Sequence, residues 1–344
     1  MRGEIITRDE MLGIPAYEVS DLTQIPPGPL VSVIVITYNH EAFIEQTIQG
    51  ILAQQCDFPI ELIIGEDKSQ DRTLEICFEY QKRYPQLIRL VTWHKNVGEN
   101  ANYLRVWGRT RGKYVAICEG DDYWIDPDKL SKQFALMEQY PDTILSGALV
   151  RMLGYSNGYF VDEVFGPMQM KCRYGLEDVI ERPCFHTSTF MFRRSEFKIP
   201  AAAHNCCLLD TVLMSAAALQ GSLKCIPDTV SAYRMHEHGT FSPLSMLRKY
   251  EHTIGMLQAI LTFTDERYAP IVRKKIDAVQ MWLCFELVSN GQVQRARRLA
   301  WQTVRSLALH APRKALVLIF HVYLPRTSQL VIDAWNRNKR RYEK

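Results

Sequence analysis

The sequence predicts an α/β protein in which a mainly parallel sheet carries helices on both faces. Two observations support this fold class. From residue 31 onward, short apolar and β-branched runs alternate with stretches of helical periodicity, a succession typical of a parallel sheet covered on both sides. The first run, residues 31–36, is continuous rather than alternating, which indicates a strand buried on both faces.

The elements follow in chain order. Strands are predicted over residues 31–36, 61–64, 88–92 and 114–118, and helices over residues 41–54, 71–84 and 100–108. Pro85 ends the second of these helices, because proline cannot continue one. A further helix is predicted to start near Asp126, with Asp126 as its N-cap and Pro127 at its first position.

Three regions are predicted along the chain. Residues 1–30 form an N-terminal arm that ends in a Pro-Pro-Gly-Pro breaker at residues 26–29. Residues 31–250 form the main domain, and the mixed pattern of residues 140–250 completes it. Residues 251–344 form a C-terminal helical region, because apolar residues such as Trp282 and Phe285 recur there at roughly helical spacing.

Composition narrows the class of protein. The 344 residues are 47% hydrophobic and 23% charged, with a net charge of +3, as in an ordinary globular protein. Lys and Arg are spread through the chain, so no nucleic-acid partner is expected. The nine cysteines are scattered without C-x-x-C spacing, which favours reduced thiols and a cytoplasmic location. The apolar stretch 315–324 is far shorter than the ~20 residues that span a bilayer.

Polar clusters follow three of the predicted strands. They are Thr-Tyr-Asn-His at residues 37–40, Glu-Asp-Lys-Ser at 66–69 and Glu-Gly-Asp-Asp at 119–122. Ligands of open α/β sheets bind beyond the carboxyl ends of the strands. The sequence therefore predicts one ligand site at this edge of the sheet.

The acidic cluster points to a metal. Adjacent carboxylates such as Asp121 and Asp122 repel each other unless a cation lies nearby. Mg²⁺ prefers one or two carboxylates together with phosphate oxygens. We therefore expect a divalent metal, Mn²⁺ or Mg²⁺, that stabilises a diphosphate leaving group. The alternative is a solvated acidic turn that caps the next helix.

The chain resembles the family 2 inverting glycosyltransferases over about residues 30–245. The resemblance is carried by VSVIVITYN at 31–39, EDKSQDRT at 66–73, NVG at 96–98 with Asn102, and EGDDYW at 119–124, in that order. It implies a GT-A fold, a nucleotide-sugar donor, a divalent metal and inversion at the anomeric carbon. Two positions depart from the family pattern. Lys68 replaces a common glycine, the freest turn residue, and Glu119 stands at the first position of the D-x-D motif.

The resemblance also implies site residues. Asp67 would accept a hydrogen bond from the pyrimidine N3–H, or else simply close a turn. Asp122 would bind the metal, and His236, in a Tyr-Arg-x-His segment, would be a third ligand or phosphate contact unless it is structural. The full set of nucleotide-sugar contacts expected is Thr37, Tyr38, Asn39, Glu66, Asp67, Asn102 and Asp121.

A general base is expected farther along the chain. An inverting transfer needs a carboxylate that removes the acceptor hydroxyl proton. Asp210 precedes the apolar helical run 212–219 and resembles the start of the family's base-bearing helix. The alternative is an ordinary helix N-cap. His186 either faces the acceptor or is structural.

The predicted function is a non-processive glycosyltransferase that moves one sugar, from UDP by default, to a saccharide or lipid-linked saccharide in bacterial polysaccharide or lipopolysaccharide assembly. Processive members carry transmembrane helices and a Gln-x-x-Arg-Trp motif, and this chain has neither. The alternatives are a sugar-phosphate nucleotidyltransferase, which would have a Gly-rich loop after the first strand, and a non-catalytic carbohydrate-binding protein. The cations at 295–298 and 337–344, with the apolar segment 316–324, suit a peripheral membrane contact at the inner face, or else the segment is core and the tail solvated.

Overall fold

The computed structural model describes residues 1–25, 27–156, 159–237, 239 and 243–323. The chain forms two compact units. One comprises residues 1–243 with 262–264, and the other residues 244–261 with those from 265 onward. The basic segment 337–344 and the end of the apolar segment 316–324 lie outside the described residues.

The N-terminal arm contributes a helix and a strand. Helix α1 is Arg8–Gly13 and strand β1 is Tyr17–Val19. A reciprocal capping box starts α1, in which Thr7 and Glu10 satisfy each other's backbone N–H groups. Strand β1 pairs antiparallel with residues 90–92, so the arm provides the edge of the sheet.

The predicted α/β succession is confirmed in the next hundred residues. The elements are β2 Val31–Thr37, α2 Ile44–Leu52, β3 Ile60–Glu66, α3 Thr73–Arg83, β4 Ile88–Thr92, α4 Glu99–Trp107 and β5 Tyr114–Glu119. The four strands β4-β3-β2-β5 are parallel neighbours. Their carboxyl ends therefore lie at one edge, as the sequence predicted.

Helices pack on both faces of this parallel part. On one face, strand residues such as Val33 and Leu62 join a core with Ile48 of α2 and Cys77 of α3. The other face receives α4. An added Cβ at Gly65 would lie 2.4 Å from a methyl of Val106, so glycine allows the close approach of α4 to β3.

The remaining elements of the first unit are β6 Tyr123–Trp124, α5 Lys129–Gln139, β7 Thr143–Ser156, β8 Tyr159–Phe165, α6 Leu176–Glu181, β9 Met191–Arg193, α7 Leu209–Gln220 and β10 Ser222–Met235. Strand β9 pairs antiparallel with β5 and β7, whereas β10 is parallel to β7 and antiparallel to β6. Each of these antiparallel pairings involves β9 or β10, strands of the region 140–250 whose sequence pattern is mixed.

The predicted cap of α5 was wrong. The helix has Asp128 at its N-cap position. Asp126 instead closes the preceding turn, because its Oδ1 accepts from the N–H of Asp128 and its Oδ2 accepts from Nζ of Lys132. A carboxylate shared in this way is unavailable to the first helical turn.

The second unit is helical, as predicted. Its helices are α8 Met246–Phe263, α9 Ala269–Ser289, α10 Val293–His310 and α11 Pro312–Tyr323. Leu283 and Leu287 of α9 pack with Leu307 of α10 and Leu318 of α11 in one apolar core. Among the described residues, no helix combines the length and apolarity needed to cross a bilayer.

A buried ion cluster joins strands at the amino end of the parallel sheet. Glu61 of β3 is fully buried and accepts from the hydroxyl of Ser32 at 2.6 Å, from Arg89 at 2.8 Å and from Nε of Arg111 at 2.9 Å. Arg89 also binds Glu18 of β1 at 2.7 Å. Burial opposes ionisation of Glu61, but the hydrogen bond from Ser32 and the two guanidinium groups outweigh it and lower the pKa of Glu61.

Arg89→Met should reduce the free energy of unfolding by about 3 kcal/mol, since it leaves the Glu61 carboxylate buried with one cation fewer. Urea unfolding followed by circular dichroism measures this loss. Because the pKa of Glu61 is lowered on folding, its stabilisation is present near neutral pH and disappears as the pH falls through the folded pKa. Arg72→Met removes an exposed ion pair with Glu75 and is the control. Equal midpoints for the two variants would contradict the assignment.

Candidate functional site

The carboxyl ends of β2, β3 and β5 border a cavity of about 470 Å³. Seven of the predicted site residues line it: Thr37, Tyr38, Asp67, Asn102, Asp121, Asp122 and Asp210. Asn39, Glu66 and His236 are not in the lining. The edge of the sheet named by the sequence is therefore the edge that carries the cavity.

Glu66 and Asn39 hold their own loops together. The buried carboxylate of Glu66 accepts from the hydroxyl of Thr92 at 2.8 Å and from the N–H of Ser69 at 2.5 Å. Asn39 accepts from the N–H of Gln70 at 2.8 Å. These hydrogen bonds shape the loops beside the cavity, and direct contact of the two side chains with a ligand stays a prediction.

Lys68 has a backbone conformation that favours glycine. Its φ angle is 62°, in the left-handed region, where a side chain costs roughly 1–2 kcal/mol. Asn39 is also left-handed, with φ 56°, but asparagine tolerates this conformation better. A lysine is thus accommodated in this loop, but its left-handed backbone conformation is strained.

Asp67 is a fixed point between two loops. Only 2% of the residue is exposed. Its Oδ1 accepts from the N–H of Val97 at 2.9 Å and from Arg105 at 3.3 Å, and its Oδ2 accepts from the N–H of Gly98 at 2.9 Å. These bonds anchor the Asn-Val-Gly turn to the end of β3.

Asn102 supports the same arrangement from helix α4. Its amide donates to the carbonyl of Gly65 at 2.7 Å, and its Oδ1 accepts from Nε of Arg105 at 2.9 Å. Arg105, fully buried, donates in turn to the carbonyl of Glu66 at 2.9 Å. Asn102 therefore orients Arg105, and Arg105 orients Asp67.

Asp121 is paired with two histidines. Its Oδ2 lies 3.1 Å from Nε2 of His236 and 3.7 Å from Nε2 of His40. Burial opposes ionisation, but the hydrogen bond from His236 and the nearby His40 lower the pKa of Asp121. Arg234 donates to the carbonyl of Asp121, and its guanidinium stacks 4.3 Å from the ring centre of Tyr123.

Asp122 forms a different group with Glu119 and His186. One ligand atom from each of the three lies within 4.8 Å of the others. Burial, followed by the charges of Asp121 and Glu119, raises the pKa of Asp122 well above its usual value, and burial raises that of Glu119 to about 8. Burial lowers the pKa of His186 to about 4, so this imidazole is neutral.

This second group fits a divalent cation. Asp122 uses Oδ1 to accept from the N–H of Arg234 at 3.0 Å. Within the described residues, Oδ2 of Asp122 and Oε2 of Glu119 are buried without a hydrogen-bond partner. Buried carboxylate oxygens beside a neutral imidazole make a suitable donor set. The structure thus places His186 beside Asp122, whereas the sequence named His236.

Asp210 lies in the first turn of α7, but it is not the cap. Leu208 holds the N-cap position, without a side-chain cap. Oδ1 of Asp210 accepts from the N–H of Thr211 at 2.6 Å and from its hydroxyl at 3.3 Å. Burial raises the pKa of Asp210. A partly buried carboxyl group in the cavity wall can accept a proton from a bound hydroxyl.

Tyr103 and Arg234 line the cavity but were not singled out by sequence reasoning, and His40 was identified only as part of the polar cluster at residues 37–40. The hydroxyl of Tyr103 is buried and has no hydrogen-bond partner within the described residues. Helical periodicity makes Tyr103 look like core, and only the burial of its hydroxyl beside a cavity distinguishes it. Arg234 was visible only as part of the Tyr-Arg-x-His segment.

Comparisons with known proteins agree with this fold. The family described as Glycosyl transferase family 2 matches residues 32–198. An uncharacterized protein of Mycobacterium tuberculosis is 34% identical over 317 residues, which cover 90% of this chain and 86% of that protein. The likeness extends well beyond the family match.

Two solved structures share the fold. A mannosyltransferase of Pyrobaculum calidifontis, in complex with GDP-Man and Mn²⁺, has a TM-score of 0.56 and 17% identity, over 92% of this chain and 85% of that one. Residues 1–349 of S. aureus TarS, in complex with UDP-GlcNAc, have a TM-score of 0.54 and 19% identity, over 85% and 90%. The expected GT-A fold is confirmed, and the nucleotidyltransferase alternative loses its support. The chain belongs to glycosyl transferase family 2 and is a glycosyltransferase.

Proposed function

We propose that this enzyme is a non-processive, inverting glycosyltransferase that moves one sugar from a nucleoside diphosphate to a hydroxyl acceptor with the help of a divalent cation. One observation carries the proposal. The acidic group at the end of β5 and the carboxyl group of Asp210 line the same cavity. An inverting transfer needs both a site for the leaving diphosphate and a separate base.

The nucleotide would bind at the ends of β2 and β3. The half-exposed ring of Tyr38 offers a surface for the base. Among the described residues, Oδ2 of Asp67 accepts only from Gly98, so it has a second lone pair for the N3–H of a pyrimidine. This favours UDP, with dTDP and GDP as the alternatives to test.

Asp122, Glu119 and His186 would hold the cation, Mn²⁺ or Mg²⁺. When bound, the cation would neutralise charge that develops on the diphosphate as the glycosidic bond breaks. Asp121 would stay ionised through His236 and His40 and would contact the ribose or the sugar. His236 then acts on the donor through Asp121, a positioning role that replaces the metal role expected from the sequence.

Asp210 would act as the general base. Thr211 holds Oδ1 in place, and the second oxygen makes no hydrogen bond within the described residues. That oxygen would take the acceptor proton while the hydroxyl attacks the anomeric carbon opposite the diphosphate. Attack from this side inverts the anomeric configuration.

The acceptor would be a saccharide or a lipid-linked saccharide of bacterial polysaccharide or lipopolysaccharide assembly, at the cytoplasmic side of the membrane. The resemblance to family members of this setting supports that choice. Mn²⁺-dependent hydrolysis of a panel of UDP-, dTDP- and GDP-sugars tests the donor. Absence of hydrolysis and of any nucleotide-induced thermal shift across the panel would contradict the proposed function.

Asp122→Ala should abolish transfer and weaken Mn²⁺-dependent nucleotide binding, because it removes a carboxylate from the cation group. His186→Ala should weaken Mn²⁺-dependent nucleotide binding by about 10–100-fold, and His236→Ala should weaken it by less. Calorimetric titration of nucleotide with and without Mn²⁺ measures all three effects. Asp57→Ala, an exposed carboxylate outside the cavity, is the matched control. Full activity of Asp122→Ala in EDTA would refute the cation site.

Asp210→Asn should lower turnover by about 10²–10⁴-fold, the usual effect of general base catalysis. Donor affinity should remain, since the amide oxygen can still accept from Thr211. Burial raises the pKa of Asp210, so the wild-type rate should fall as the pH drops through that pKa, and the variant should lose this limb. Wild-type turnover in the variant would show that Asp210 is not the base.

A further inference from the structure

Helices α10 and α11 form a strongly basic pair. Between Val293 and Tyr323 the chain has no Asp or Glu. It has six cationic side chains, all of them exposed: Arg295, Arg297, Arg298, Arg305, Arg313 and Lys314. Surface helices of soluble proteins normally mix both signs of charge. The bias therefore points to an anionic partner.

The same two helices expose large apolar side chains. Leu309 is 88% exposed, Trp301 60%, Leu316 55% and Phe320 47%. These side chains lie outside the apolar core of the second unit, to which α10 and α11 contribute Leu307 and Leu318 instead. Trp301, Arg305 and Leu309 recur every fourth residue and so share one face of α10.

Cations and apolar groups adjoin on this surface. The guanidinium of Arg305 lies 4.9 Å from the ring centre of Trp301 on α10. That of Arg297 lies 5.4 Å from the ring centre of Tyr323 on α11, so exposed residues of the two helices meet there. We call the surface formed by Trp301, Arg305, Leu309, Leu316 and Phe320 the α10–α11 face.

We propose that the α10–α11 face binds the surface of an anionic lipid bilayer. Helices with Trp, Phe and Leu beside arginines lie in the headgroup region with their apolar side chains at the acyl boundary. Charge disfavours two other occupants. A second copy would bring the same positive face, and the chain after Tyr323 is itself basic at residues 337–341. A nucleic acid would match the charge but not the exposed Leu309 and Phe320.

Co-sedimentation of the full chain with phosphatidylglycerol and phosphatidylcholine vesicles tests the charge component. Each cation near an anionic surface contributes roughly a fivefold gain in partitioning. The triple variant Arg298→Gln, Arg305→Gln, Arg313→Gln should therefore bind phosphatidylglycerol about a hundredfold more weakly. The control Lys82→Gln, Arg83→Gln, Lys198→Gln makes the same charge change at exposed positions of the first unit and should bind as the wild type does. Added salt should weaken wild-type binding.

Insertion of the apolar groups has its own readout. Brominated phosphatidylglycerol should quench the tryptophan fluorescence of the wild type, and Trp301→Phe should bind equally well with much less quenching. Leu309→Ser with Phe320→Ser should weaken binding without changing the circular dichroism spectrum.

Four outcomes would overturn the proposal. The first is no binding to phosphatidylglycerol at low salt, and the second is equal binding by the two triple variants. The third is quenching that survives in Trp301→Phe. The fourth is binding to duplex DNA in place of vesicles. None of these readouts involves sugar transfer, so they stand apart from the proposed function.

Discussion

Three carboxyl groups lie within four residues at the end of β5, and their negative charges repel one another. Much of the first unit supplies the groups that offset this repulsion. Each group is treated differently. Asp121 lies beside two histidines. Asp122 accepts a hydrogen bond from a backbone N–H of β10. Burial raises the pKa of Glu119 to about 8, which favours its neutral form. The compensating groups come from distant elements, because Arg234 and His236 arrive only when β10 pairs with β6. The pairing of β10 in the sheet is thus needed to bring these stabilising groups next to the acidic cluster.

The parallel sheet was predictable from the sequence, because continuous runs of β-branched residues are typical of strands that are buried on both faces. Strand β1 was not predictable, because three partly exposed residues are too few to show an alternating apolar pattern. Only its pairing with β4 identifies it as a strand. The candidate site divides in the same way. Strand ends place polar residues at the correct edge, but the sequence does not show which oxygens the chain itself engages. The sequence did not show that Glu66 bonds to its own loop, or that His186 lies beside Asp122.

The two ends of the parallel sheet have opposite characters. At the amino end, Glu61 is matched by Ser32, Arg89 and Arg111, so its charge is fully compensated within the protein. At the carboxyl end, oxygens of Glu119 and Asp122 are buried with no such partner among the described residues. Complete compensation stabilises a fold, whereas incomplete compensation leaves binding free energy for a ligand.

The chain of contacts from Asn102 through Arg105 to Asp67 has a consequence for binding entropy. These side chains already fix the Asn-Val-Gly turn against the end of β3, so little conformational freedom remains to be lost when a nucleotide arrives. Affinity would then depend in part on Arg105, which does not line the cavity. A shortened side chain at Arg105 would leave every contact atom present, yet the turn would have to be ordered anew at each binding event.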